Sequence, residues 1–427
     1  MTSLVRALDV VLSGQIVGRL ERNRSGLNVW QPHPDWEQRG QHPRLGLTFL
    51  RQPGRRQAGT GILPWFDNLL PEVDSALRQR LCLAHGLREQ DGFRLLGAIG
   101  RDLPGAVEVH REEDDRSQGG SDDQLELPDL DAPPHVSDAA NKLRFSLAGM
   151  QLKLSMSMAN ESLALGASGA GAKWIVKLPS QRFPDLPEIE CATMTWARNA
   201  GFDVPDHFVV RSSDLLGVPV SWIDEMPSAF AVKRFDRRED GSKIHQEDLC
   251  QALDVPPFQK YQESGQRRVS LDGVVRFVAD VAGEEQGREL ARRIGFVIAS
   301  GNSDAHLKNW SLLWGNADRP GLAPCYDFVS TIAWSNLFGW DTAEGVQLSL
   351  GLGREKDFAR LTQFTLEDHA ANSHCAWSKD EIMSGIERAR DALPSIASIM
   401  PHSMRRALET HWTRVPLLSG MLQREVG

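Results

Sequence analysis

Ala299-Ser300-Gly301-Asn302-Ser303-Asp304-Ala305-His306-Leu307-Lys308-Asn309-Trp310 is the stretch on which the fold of this 427-residue chain turns. In ELARRIGFVIASG, apolar residues at three-to-four spacing predict a helix, and Gly301 is a residue that commonly ends one. The polar loop that follows presents Asp304 and Asn309 five residues apart, and Asp327 closes the apolar run Pro324-Cys325-Tyr326 eighteen residues later. Kinase-type phosphoryl transfer needs this kit. One Asp orients or deprotonates the attacking hydroxyl, and an Asn with a second Asp holds Mg²⁺ through hard oxygen ligands. An Asp and an Asn at such spacing also occur in ordinary turns and helix caps. Asp, His, Lys and Asn crowded on one loop, with Asp327 downstream, favour the phosphotransferase reading.

Outward from this loop, the chain is mainly helical beyond Gln246. SLDGVVRFVADVAG and KDEIMSGIERARDALPSIASIM carry the same helical spacing. The section before it, from about Asn141, mixes strand-like runs, KWIVKLP and FAVKRF, with the helical IECATMTWARNAG, which Gly201 would stop. Further upstream, residues 112 to 134 read EEDDRSQGGSDDQLELPDLDAPP, too acidic and too poor in apolar residues to offset the entropy of ordering. The first 111 residues look like a small α+β unit. VRALDVVLSGQIVGRL predicts a hairpin about Ser13-Gly14, and SALRQRLCLAHGL predicts an amphipathic helix ending at Gly86.

Composition narrows the class. Hydrophobic residues are 41% and charged residues 25%, as in ordinary globular proteins. No run approaches the roughly 18 uncharged apolar residues that span a bilayer, and the start lacks a signal-peptide pattern, so a cytoplasmic protein without a membrane partner is expected. The five cysteines are scattered and form no CxxC pair, which argues against disulfides and a thiolate zinc site. Net charge is −9, which lowers the expectation of unaided nucleic-acid binding and leaves a local basic patch open. Tyrosine is scarce (2) beside tryptophan (12), a bias that composition does not explain.

GNSDAHLKNWSLL resembles the catalytic-loop signature of the HipA family of bacterial toxin kinases, with Ser303 where Thr is common. Other landmarks follow in family order. Arg144-Phe145-Ser146-Leu147-Ala148-Gly149-Met150-Gln151-Leu152-Lys153 resembles the phosphate-binding and autophosphorylation segment. Lys177 in KWIVKLP matches the ATP-contacting lysine, and Glu190 the acidic residue that holds it. HQEDLCQALDVPPFQKY resembles the segment preceding the helical lobe, while WFDNLLPE and GAIGRDLPGAVEV resemble the N-terminal subdomain of full-length members. Ile189 departs from the Asn common before the helix glutamate, and Lys233 from the Glu common in the hinge strand.

The resemblance implies an α/β (α+β), two-lobed protein-kinase-like fold. Its parts would be an N-terminal subdomain (1–111), an acidic flexible linker (112–140), a strand-rich N-lobe (141–245) and an all-helical C-lobe (246–427). Asp304 would be catalytic, and Asn309 and Asp327 would bind Mg²⁺. ATP would be contacted by Lys177, Glu190, Ser146, Ala148, Gly149, Gln151, Lys153, Lys233, Phe235, His306 and Lys308. Ser146 would be autophosphorylated. The implied role is a serine/threonine-protein kinase toxin, partnered by a small helix-turn-helix antitoxin through which it reaches operator DNA. Its target would be a translation protein such as an aminoacyl-tRNA synthetase. A small-molecule kinase with the same kit, or a nucleotide-binding module without turnover, are the competing expectations.

Overall fold

The computed structural model describes residues 7–52, 58–111, 152–159, 162–165, 172–218, 220–223, 226–261, 269–315, 318–338 and 345–422. Ser13 and Gly14 both adopt positive φ (51° and 75°), the left-handed pair that matches a tight hairpin to strand twist. They join β1 (Ala7–Leu12) to β2 (Gln15–Arg22). With β3 (Asn28–Pro32), β4 (Ala58–Gly59) and β5 (Val107–Arg111) these form an antiparallel sheet of order β4-β3-β2-β1-β5. Beside it lie helices α1 (Ala76–Ala84), capped by Ser75, and α2 (Gly92–Ile99), capped by Asp91. The core of this unit is aromatic: Trp30, Phe49, Trp65 and Phe66 meet with ring centroids 5.1–6.0 Å apart.

A second sheet holds β6 (Lys153–Ala159), β7 (Ser162–Leu165), β8 (Trp174–Lys177), β9 (His207–Arg211), β10 (Leu215–Leu216) and β11 (Ser228–Lys233) in the order β10-β7-β6-β8-β11-β9. Helix α3 (Leu186–Asn199) belongs to this part of the chain but buries Ile189, Met194 and Trp196 in the core of the helical lobe. Trp196 packs edge-on to Phe296 at 5.0 Å and donates its indole N–H to the Ala389 carbonyl at 2.7 Å. Ile189, the departure noted above, is therefore a core position filled by an apolar side chain.

The helical lobe is built on α4 (Leu271–Ala282), α5 (Glu284–Ser300), α6 (Gln363–Ser373), α7 (Ser378–Ala392) and α8 (His402–Arg414). The expectation of an all-helical lobe is corrected here. β12 (His245–Asp248), β13 (Ser311–Trp314) and β14 (Gly321–Leu322) make a small sheet, and β15 (Gln347–Leu352) pairs with β16 (Glu355–Asp357). Most of these strands are only two to four residues long, too short for alternation to announce them, although Gln347–Leu352 alternates as QLSLGL. The boundary expected at 245/246 falls inside β12, which pairs with β13 of the following lobe. Among the described residues, no helix is long and apolar enough to cross a membrane.

Candidate active site

Helix α5 ends where Gly301 turns into the left-handed region, at φ +62°. A Cβ there would lie 2.6 Å from Ile332 Cδ1, so both conformation and space require glycine. The carbonyls left over at the end of α5 are satisfied from α8: His411 bonds Ile298 O at 2.8 Å and Trp412 Nε1 donates to Ala299 O at 3.0 Å. Beyond Gly301 the loop is pinned by hydroxyls. Ser303 N donates to Thr331 Oγ1 (2.7 Å), Thr331 Oγ1 to Gly301 O (3.0 Å), and Ser349 Oγ to Ser303 O (2.7 Å).

This frame fixes the loop's working groups. Asp304 is buried, its amide donating to Asn302 Oδ1 (3.0 Å) and its Oδ1 accepting from the Tyr261 phenol (2.6 Å). Asn309 donates its side-chain amide to the Asp304 carbonyl at 2.9 Å, which turns its oxygen into the available ligand atom. His306 is buried, and among the described residues neither ring nitrogen has a hydrogen-bond partner. Burial, with Lys260 and Lys308 nearby, keeps its pKa well below 6.5, so the ring is neutral.

Asp327 arrives from the other side, itself at a positive φ of 55°. Phe328 behind it is buried, stacked on Phe296 at 5.6 Å, and Tyr326 before it donates to Lys308 O at 2.9 Å. The Asp327 carboxylate accepts from Lys177 on one oxygen and from Lys153 Nζ on the other, at 3.0 Å. Lys177 also donates to Glu190 on α3. One buried ammonium thus serves two carboxylates, and Asp327 has a second cation. Burial opposes the charge on Asp327, but Lys153 and Lys177 hold its carboxyl well below the usual carboxylate range. Burial likewise opposes the charge on Lys177, but Asp327 and Glu190 keep it protonated, above its ordinary value.

The structure therefore brings Lys153, Lys177, Glu190 and Asp327 into one cluster, with Asp304, His306 and Asn309 on one pinned loop. Two of the expected nucleotide contacts have partners within the chain. The Lys308 ammonium donates to Asn68 O (2.8 Å) and lies 3.8 Å from Asp248, so it ties the loop to the N-terminal unit. The Lys233 ammonium pairs with Glu239, and its backbone N–H donates to Asp206 O at 2.8 Å. Phe235 packs 5.3 Å from the Tyr326 ring. Ser146, Ala148, Gly149, Gln151 and the 112–140 segment lie outside the described residues.

Two buried seams were not foreseen. On the first, Arg234 and Arg237 share Asp236 and reach Asp102 of the N-terminal unit at 3.0 Å each, while Gly105 N donates to Asp236 at 2.8 Å. On the second, Trp65-Phe66-Asp67-Asn68 and Glu72 meet the helical lobe. Asn68 Nδ2 donates to Val255 O at 2.9 Å, Trp65 Nε1 to Glu247 at 3.3 Å, and Lys260 pairs with Glu72. KRFDRRED reads as a solvated charge run, so burial of Arg234 and Arg237 had no sequence signal. Both tyrosines, Tyr261 and Tyr326, contact the site, which their scarcity in the sequence does not announce.

The donor set suits a hard cation. Asn309 supplies an amide oxygen and Asp327 an ionised carboxylate, few protein ligands of the kind that Mg²⁺ takes beside phosphate oxygens.

Comparison with known proteins gives a consistent set of relatives. A family model described as the HipA-like C-terminal domain matches residues 145–397, and one described as the HipA N-terminal domain matches residues 8–110. The chain is 35% identical over 426 residues to a Sinorhizobium fredii protein named "Putative kinase Y4dM", covering 97% of this chain and 98% of that one. It is 25% identical over 363 residues to the "Serine/threonine-protein kinase toxin HipA" of Shewanella oneidensis, covering 77% and 76%. In fold it is similar to the Shewanella oneidensis HipA, HipB and operator DNA complex, with a TM-score of 0.71, 21% identity and 96% of each chain covered.

Proposed function

Because this chain belongs to the HipA family, we propose that it is an ATP- and Mg²⁺-dependent serine/threonine-protein kinase and the toxin of a toxin–antitoxin pair. One observation carries the reading: Lys177 joins Glu190 to Asp327 beside the loop of Asp304 and Asn309. Buried charges are costly to assemble, and Lys177, Glu190 and Asp304 buried beside the half-buried Asp327 are hard to explain as scaffold alone.

Lys177 and Lys153 neutralise phosphate oxygens, and Glu190 keeps Lys177 directed at them. Asn309 and Asp327 would hold Mg²⁺, which would supply positive charge against the phosphates. Asp304 orients the serine hydroxyl and takes its proton as the oxygen attacks the γ-phosphorus. The P–O bond to the β-phosphate breaks, ADP leaves, and a phosphoserine forms. Positioning and fixed charge supply most of the acceleration.

Ser146 is the proposed self-phosphorylation site, and a translation protein such as an aminoacyl-tRNA synthetase the proposed target. The HipB and operator DNA in the Shewanella oneidensis complex support a small helix-turn-helix antitoxin as partner, with DNA reached through it. A net charge of −9 fits that indirect route, and the reading places the protein in the cytoplasm. Purified protein given Mg²⁺ and γ-labelled ATP should incorporate phosphate, and Asp304→Ala should abolish it. Equal labelling of the two proteins overturns the proposal.

A further inference from the structure

Tyr261 stands outside the residues assigned above, yet its phenol donates to Asp304 Oδ1 at 2.6 Å. Its ring lies edge-on to His306, with centroids 5.0 Å apart at 75°. The residue before it, Lys260, is buried, and its carbonyl accepts the Leu307 N–H of the catalytic loop at 3.3 Å. The Lys260 ammonium lies 5.1 Å from the Tyr261 ring centroid and pairs with Glu72 of the N-terminal unit. A continuous set of contacts therefore runs from Glu72 through Lys260 and Tyr261 to Asp304.

Resting on the kinase reading, we propose that Tyr261 is the positioning residue of the catalytic carboxylate, and that Glu72 sets its seat through Lys260. A carboxylate can rotate about its last bond, and a donor on one oxygen selects one orientation. Hydrogen bonds to charged groups are the stronger class, and small misplacements of a reacting group cost large factors in rate. Lys260 has the features of an anchor. An ammonium in so buried a place is held by its carboxylate partner, and removing Glu72 would leave it without its ion pair. Its backbone would then shift together with Tyr261.

The test uses the full chain with Mg²⁺ and γ-labelled ATP, following phosphate incorporation. Tyr261→Phe, which removes only the hydroxyl, should lower kcat about tenfold to a hundredfold and leave the KM for ATP unchanged. Glu72→Gln should lower kcat in the same way, and the double variant should fall no further than Tyr261→Phe alone. A second readout does not depend on turnover. Labelled with 3-fluorotyrosine, the chain should give two ¹⁹F resonances, one for each of its 2 tyrosines. Asp304→Asn should move the Tyr261 signal, identified by its loss in Tyr261→Phe, and spare that of Tyr326. Wild-type kcat in Tyr261→Phe, additive losses in the double variant, or an unmoved Tyr261 signal each overturn the inference. Equal labelling by wild type and Asp304→Ala, or none by wild type, overturns the kinase reading instead.

Discussion

Lys153 and Lys177 stand directly opposite each other on the adjacent antiparallel strands β6 and β8, and the Asp327 carboxylate receives both ammonium groups. Like charges facing across a strand pair repel. Here the repulsion is converted into an anion seat, filled by Asp327 in this structure and suited by charge to phosphate oxygens.

Removing the anion should expose that repulsion. Asp327→Asn leaves the buried Lys177 with Glu190 alone and Lys153 without a partner, at an expected cost of about 3 kcal/mol. Adding Lys153→Met should restore more than half of the loss. Urea unfolding without Mg²⁺ measures both, and an Asp327→Asn variant as stable as wild type would show that the seat is not under charge strain.

Gly301→Ala should damage stability and activity together. An L-residue in the left-handed region costs roughly 1–2 kcal/mol, and the new methyl would press on Ile332. A drop in melting temperature with a lower labelling rate is expected, because the same turn launches Asn302 to Asp304.

For Lys308 the expected effect is the opposite of that for a phosphate ligand. Lys308→Met should leave the KM for ATP unchanged and destabilise the chain, since its ammonium bonds Asn68 and faces Asp248. Limited proteolysis of the N-terminal unit alongside an ATP titration separates the two. A raised KM with unaltered proteolysis would restore the nucleotide role.

His411 should make the fold acid-sensitive. Burial pushes its pKa down to about 4, against 6.5 unfolded, so the folded state prefers the neutral ring. The stability this brings is complete above pH 6.5 and is lost as pH falls toward 4, by about 3 kcal/mol at most. His411→Gln can still donate to Ile298 O and does not titrate, so its unfolding midpoint should fall less on acidification. Glu247, pushed up to about 7 by burial, works in the opposite sense, so variant and parent are compared at each pH.

The loop around Asp304, the helix before it and the lysine strand were legible because each carries a local signal: helical spacing, a terminal glycine, a short β-branched run. The docking of α3 into the helical core was not, since Ile189 and Trp196 show amphipathicity without naming a partner. The partners of Lys308 and Lys233 were hidden for a related reason. A lysine beside a catalytic loop or hinge looks the same in sequence whether its ammonium meets phosphate, Asn68 or Glu239. Tyr261 and Lys260 acquire meaning only when Glu72 and Asp304, remote in sequence, flank them in space.

The knot of Arg234, Asp236 and Arg237 with Asp102 has a mechanical consequence. Enzymes built of two lobes commonly open and shut about a connecting segment. In this protein that segment is gripped at Asp102, Leu103 and Gly105, while the same N-terminal unit holds Glu247, Val255 and Lys308 on the far lobe. The unit acts as a brace fastened at both ends of the jaw. Wide opening would have to tear one fastening, each made of buried polar groups, so the spacing of the two lobes should change little between turnovers.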